Sequence, residues 1–488
     1  MTLGLGALLN LVLVPFLIGA GGLAALGVGD RFERLAFVAW SVILGSLCLG
    51  LVVMSSLALG LPMHALPLIG SSLGSLGLLT FCLRRGRLNA KACVEARADG
   101  GALERPAGPV RGERLGQVLF GVVLVAALAL CVGHMRAANA SLIVVGDEVG
   151  IFANKAKGLY LAADLGAALD DIFRDAGDRP STMHLDYPML NPTLMVWSFS
   201  HAGEVLHLDN RLPIQACVLA LVLLLASELR RAAGPLLATA LLIVVVSSSP
   251  FRMSCIMATA DGMLALGFLA CAGLLERLRR QWSVGHARLL AVALAFMLAS
   301  KNEGLLLALA LMLPASVSWI RAHGARVASG RLLGVVWAPL ALVAAQALFN
   351  RAHAFSNDLF STPQAKPLLT RALAQLGTHL PATLRALFDH AVLNLEQSQL
   401  LLPGMSLLLL ISPRRLGPVR TITWVAVVLA LLGIVTVYVA TPHDIDWHLR
   451  TSMKRVLFHL LPAIAVWVAA AGQALLQDAR RPEAPPGA

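Results

Sequence analysis

Apolar runs of about 17–25 residues recur along the chain between short polar breaks, the length a helix needs to cross a roughly 30 Å hydrocarbon core. About thirteen are expected as transmembrane helices, near residues 4–27, 35–59, 66–83, 115–134, 212–229, 234–250, 262–276, 288–300, 303–320, 332–349, 395–412, 421–440 and 456–474. The fold class this predicts is all-α and polytopic, with one large polar excursion over 135–212 carrying short interfacial helices. Within it, the spacing of Ile151, Phe152, Lys155 and Leu159 predicts an amphipathic helix over 149–165, suited to a membrane surface.

Domain boundaries follow from the same pattern. Residues 1–83 hold three leading helices, 84–114 form a mixed-charge, Gly- and Pro-containing linker, 115–474 form the main membrane core, and 475–488 a tail. The first span lacks a basic segment before it, so it is expected to be retained as a helix.

Composition agrees with the pattern. Of 488 residues, 58% are hydrophobic and 14% charged, well below the quarter usual in soluble domains, and the mean hydropathy is +0.76. The formal charge of +12 suggests nucleic acid until its positions are read. Arg31/Arg34, Arg84/Arg85/Arg87, Arg230/Arg231, Arg277/Arg279/Arg280, Arg321/Arg326, Arg414/Arg415 and Arg480/Arg481 fall in alternate loops. That is the positive-inside pattern, so no nucleic-acid partner is expected. It places the N-terminus and 135–212 outside, the C-terminal tail inside. The seven cysteines have no CxxC and lie mostly in apolar spans, so they read as small core residues.

Candidate chemistry gathers in the outward segments. The first holds Asp147-Glu148, Lys155 and Lys157, then an acid-rich stretch with Asp164, Asp170, Asp171, Asp175 and Asp178, then HLDYPMLNP (184–192). Asp261 begins an apolar run after TA, Lys301 and Glu303 stand in ASKNEG, and 441–462 gathers His443, Asp444, Asp446, His448, Arg450, Lys454 and Arg455. Ionisable groups at span ends are commonly interfacial anchors, and Asp147-Glu148 also suits a helix start. Cations on the outward face, however, oppose the positive-inside bias. Acids and cations together suit glycosyl transfer from a lipid-linked sugar phosphate: a carboxylate takes the acceptor's proton, and Arg or Lys stabilises the departing phosphate.

The order of these motifs (the 147–148 acids with KAK, HLDYPMLNP, TADG, KNEG and HDIDWHLRTSMKR) resembles bacterial GT-C glycosyltransferases. These are integral membrane enzymes related in fold to the protein mannosyltransferases and the lipid A aminoarabinose transferase. The resemblance covers about residues 115–474. It implies Asp147 as catalytic acid residue acting as general base, with Glu148 as the alternative. It further implies substrate contacts from Lys155, Lys157, His184, Asp186, Tyr187, Lys301, Glu303, His448, Arg450 and Arg455, the two arginines facing the donor phosphate. The chain departs from the family at Gly146, where an aromatic is usual, and at Phe152, where a Trp is usual. The expected donor is a polyprenyl-phosphate sugar and the acceptor a cell-envelope glycan or lipid, on the periplasmic face of a bacterial inner membrane. No particular cofactor is implied. A divalent metal stays open, with His184, Asp186, His443 and His448 as its donors, although no spacing such as HExxH supports one. The alternatives are a lipid-linked glycan polymerase or ligase and a transporter or flippase; the latter would place ionisable groups on broken helices at mid-membrane.

Overall fold

The computed structural model describes residues 4–28, 33–98, 111–141, 146–165, 184–205, 208–353, 355, 368–398 and 400–479. Helix is the regular secondary structure throughout these residues. Among them, nine helices are long and apolar enough to cross a membrane, or ten if a bent pair counts as one. The protein is an all-α, multi-pass membrane protein.

Three leading helices, α1 (Leu5–Leu26), α2 (Arg34–Ala58) and α3 (Leu66–Ala98), precede α4 (Arg111–Ala138). The expected linker does not begin at Arg84, because α3 continues helically to Ala98; residues 99–110 lie outside the described part. After a π-helical turn at Glu148–Ala153 come α5 (Asn154–Leu165) and α6 (Leu190–Ala202). Then follow α7 (Leu212–Ala232), α8 (Pro235–Ser247), α9 (Ser249–Ile256), α10 (Asp261–Arg280), α11 (Val284–Ser300), α12 (Glu303–His323) and α13 (Ala325–Ala352). The last elements are α14 (Leu368–Phe388), α15 (Leu401–Ile411), α16 (Thr421–Val439), α17 (Ile445–Phe458) and α18 (Leu461–Ala479).

Four of the thirteen expected spans differ. The run at 234–250 extends into α9 as a pair bent by 62°, where Pro250 offers no amide hydrogen to continue the ladder. The run at 262–276 sits within α10, whose second half carries Glu276, Arg277, Arg279 and Arg280. α11 has 17 residues and α15 only 11. The stretch between the spans at 332–349 and 395–412 holds α14, whose pattern was not singled out. Its residues Leu373, Leu376, Leu384 and Phe388 are exposed while Thr383 and Ala386 face inward, an amphipathic arrangement.

The polar excursion is also more deeply folded than its composition implies. Ile151, Phe152, Lys155, Leu159 and Tyr160 are buried, and α5 packs on α6, whose residues Leu190–Ser200 are all buried. The helix expected to lie on the membrane surface is thus part of the protein interior. The leading helices join the same body, with α2 packed on α6, α7 and α11.

α10 is the axis of the bundle, buried along most of its length and packed against α7, α9, α11, α12, α16, α17 and α18. At about 1.5 Å per residue it spans about 30 Å. Its N-terminal end meets Lys301 before α12, Arg455 within α17 and His459 before α18, and its C-terminal end meets Glu228 of α7 and Thr423 of α16. The same far end holds Arg230 on Glu33 and Arg415 on Asp478. Arg230, Arg231, Arg277, Arg279, Arg415 and Arg420 therefore share one end of the bundle and the candidate chemistry the other. Arg31, Arg480 and Arg481 lie outside the described residues.

Candidate active site

Asp261 is the first residue of α10, where the helix dipole favours a negative charge. Its carboxylate is 4% exposed, with Lys301 Nζ at 3.1 Å, His459 Nε2 at 2.9 Å and an Arg455 Nη at 3.8 Å. Burial alone would neutralise such a carboxyl, but Lys301, the His459 bond and Arg455 together hold it well below the usual carboxylate range. Burial opposes the charge on Lys301 and on Arg455 too, and the surrounding carboxylates outweigh it, raising both above their ordinary values. His459, at the turn between α17 and α18, is pushed down by burial, against the pull of Asp261.

Two more acids complete the cluster. Glu303 begins α12 and accepts from Lys301 at 2.8 Å, while its second oxygen is buried with no hydrogen-bond partner. Arg455 bonds to Asp147, and its own Nε is likewise buried without a partner. Three carboxylates (Asp147, Asp261, Glu303) thus share two permanent cations (Lys301, Arg455). The set is short of positive charge and of hydrogen bonds, and Asp147 is its most open member, 37% exposed.

Local backbone explains how these groups meet. Lys301 is extended between α11 and α12, and Gly304 lets α12 start against the end of α11: a Cβ there would meet the Met297 carbonyl oxygen at 2.3 Å. Asp444 caps α17 by accepting from the Trp447 amide at 2.8 Å. Gly146 has φ +58°, so the aromatic usual in the resembled family would be strained immediately before Asp147.

The remaining candidates divide. Glu148 is 3% exposed and clamped: Arg211 reaches its two oxygens at 2.7 and 3.2 Å, and the Ala258 amide donates at 2.7 Å. Arg211 also donates to the Ala138 and Ser141 carbonyls. Both oxygens of Glu148 are committed to joining the ends of α4 and α9 to the 148 turn, which leaves neither placed to act as the alternative base. Lys155 is fully buried and donates to the Leu185 and Tyr187 carbonyls at 2.7 and 2.5 Å. Burial brings it down to about 7, with Asp186 pulling the other way. It holds the HLDYP turn from inside instead of facing a substrate. His184 in that turn takes a left-handed φ of 34° and stacks on Tyr187 at 5.1 Å. Burial raises the Tyr187 hydroxyl, helped by the nearby Glu303 charge, so it stays protonated.

Asp186 accepts from Asn302 at 2.5 Å, and its carbonyl from Asn350 at 3.1 Å, joining the HLDYP turn to the KNEG segment. His448 bonds Thr441 at 2.9 Å and is driven to about 4 by burial and the neighbouring His443. Lys157 is exposed. Arg450 is exposed as well, five residues before Arg455 and so turned about 140° from it on α17. The two arginines expected at the donor phosphate are separated, and of the two Arg455 reaches the acids. The stretch with Asp170, Asp171, Asp175 and Asp178 lies outside the described residues.

His459, Arg211, Asn302 and Asn350 were not among the expected site residues. Their signal in the sequence is slight: a lone polar residue within or at the edge of an apolar run. As for a metal, no group of three or more His, Cys, Asp or Glu side chains among the described residues is arranged to hold one. The four donors considered for a divalent ion, His184, Asp186, His443 and His448, therefore form no such group.

The site and bundle define a class: a helical multi-pass membrane protein with a partly buried acid–cation cluster at one end. No family model, curated protein or solved structure matches the chain significantly.

Proposed function

We propose that the protein is a membrane glycosyltransferase that moves a sugar from a polyprenyl-phosphate donor to a cell-envelope glycan or lipid, working at the outer face of a bacterial cytoplasmic membrane. The observation that carries this reading is the meeting of Asp147 and Arg455, 308 residues apart in sequence, at the open side of an acid-rich cluster. In the reaction, an acceptor hydroxyl attacks the anomeric carbon as Asp147 takes its proton. The bond from that carbon to the phosphate oxygen breaks with inversion, and the electron pair leaves on the polyprenyl phosphate. Arg455 stabilises that charge through paired hydrogen bonds, and Lys301 lends a second positive centre behind it. The lipid tail explains a site at the membrane, since each buried methylene contributes about 0.8 kcal/mol. The positive-inside pattern supports the outward orientation of this end.

One observation favours a second reading. The bend between α8 and α9 beside a buried ionic cluster is a feature of transporters. Purified protein incubated with labelled polyprenyl-phosphate sugars and an envelope lipid and glycan extract separates the two. Glycosyl transfer that fails in Asp147→Asn supports the enzyme; flux in reconstituted vesicles without transfer supports the transporter.

A further inference from the structure

The bond between Arg455 and Asp147 presents a difficulty for the proposed chemistry. A carboxylate engaged with a guanidinium is a poor proton acceptor, and a guanidinium engaged with a carboxylate is not free for phosphate. Both groups are tied up in the resting protein.

The neighbours differ in what they lose if Arg455 turns away. Asp261 keeps Lys301 at 3.1 Å and His459 at 2.9 Å, so its more distant contact with Arg455, at 3.8 Å, is dispensable. Asp147 has no other ion pair among the described residues. Nor is its backbone free to follow Arg455: the residue after it, Glu148, is fixed by Arg211 and the Ala258 amide. Arg455, by contrast, sits on a long side chain with Nε still to be satisfied.

We propose that Asp147 and Arg455 form a substrate-released lock, in which Asp147 competes with the donor's phosphate for Arg455. An arriving phosphate monoester or diester draws the guanidinium away into a two-point contact. Asp147 is left without its ion-pair partner, partly exposed and facing the same space, and only then becomes a competent base. Donor binding thereby switches on proton abstraction. This rests on the glycosyltransferase reading and deepens it, by making the base conditional on the donor.

The lock makes a prediction that a simple base does not. Asp147→Asn should bind the donor's phosphate more tightly than the wild type, because the competitor is gone. The measurement is binding of farnesyl phosphate, a short polyprenyl phosphate, to full-length protein in detergent, with inorganic phosphate in parallel. The expected gain is about tenfold for Asp147→Asn, in the range of charge-pair competition. Arg455→Gln should weaken binding, and Asp147→Asn should add nothing in that background; Arg455→Lys serves if Arg455→Gln does not fold. Unchanged or weaker binding by folded Asp147→Asn overturns the lock. So does equal tightening in the Arg455 variant, which would be a general field effect. If the wild type binds and Asp147→Asn gains nothing, the lock falls and the donor class stands. If neither binds farnesyl phosphate, both fall.

Discussion

The two ends of α10 each carry a buried ionic cluster, and they are built differently. At the C-terminal end, Glu228 is met by Arg277, by Arg420 at 3.5 Å and by Arg231 at 3.7 Å. Beside it Glu276 takes Arg279 at 3.1 Å on one oxygen and the Thr423 amide and hydroxyl on the other. Every carboxylate oxygen there has a partner, and cations outnumber the acid at Glu228. At the N-terminal end acids outnumber permanent cations, Glu303 has an unpartnered oxygen, and Asp147 is open to solvent. A closed cluster joins helices. An incomplete one, with polar atoms left over beside perturbed ionisable groups, is where function is expected.

Breaking each cluster should therefore give different phenotypes. The largest effect is expected from Asp147→Asn, which keeps size and much of the hydrogen bonding but removes the proposed proton acceptor. Turnover should fall by about 10²–10⁴, with the melting temperature in detergent unchanged. Glu228→Gln should do the reverse. It strands three arginines, costs about 3 kcal/mol of stability, and leaves the specific activity of the protein that stays folded near normal; a thermal melt beside a transfer assay reads both.

How far the sequence shows this contrast depends on the residue. The acids and cations at the N-terminal end were visible because they stand at the margins of apolar runs and, for the cations, against the positive-inside bias. Asp147, Lys301, Glu303 and Arg455 could be grouped on that basis, and the structure places them together. The partners were not legible. Glu148 and Lys155 carry the same charges as Asp147 and Lys157, and only packing shows that each is turned inward, one onto Arg211 and one onto the carbonyls of the HLDYP turn. Arg450 and Arg455 look equivalent until helical phase on α17 separates them. His459 is one imidazole in an apolar stretch, and its bond to Asp261 spans 198 residues. The bundle is legible in hydropathy, but α10 shows the limit: the run at 262–276 reads as a span, whereas the helix continues to Arg280 through Glu276, Arg277 and Arg279.

The phase difference on α17 sharpens the comparison further. Arg455→Lys replaces a forked donor by a point charge and should weaken donor use by about tenfold. Arg450→Lys, on the exposed face, should leave kcat and KM unchanged. An equal loss in both would mean that α17 turns during the reaction.

The smallest effect concerns Lys155. Its folded value of about 7 lies below the ordinary lysine value of 10.5, so the folded state holds fewer protons than the unfolded between those limits. Stability should then rise with pH from about 7 towards 10.5, by at most about 1.4 kcal/mol per pH unit. Comparing melts at pH 7 and 9 for wild type and Lys155→Met checks the sign: the variant should lose this slope. Lys157→Ala should alter neither stability nor its pH dependence.

The central claim is that a donor's phosphate competes with Asp147 for Arg455, whose Nε has no partner in the resting protein. An electron cryomicroscopy map of the full-length protein with a bound polyprenyl phosphate tests this directly. The account predicts phosphate density within hydrogen-bonding distance of Arg455, with the guanidinium turned away from Asp147 and the carboxylate of Asp261 still held by Lys301 and His459. Density for the phosphate elsewhere, with Arg455 and Asp147 still bonded to each other, would contradict it.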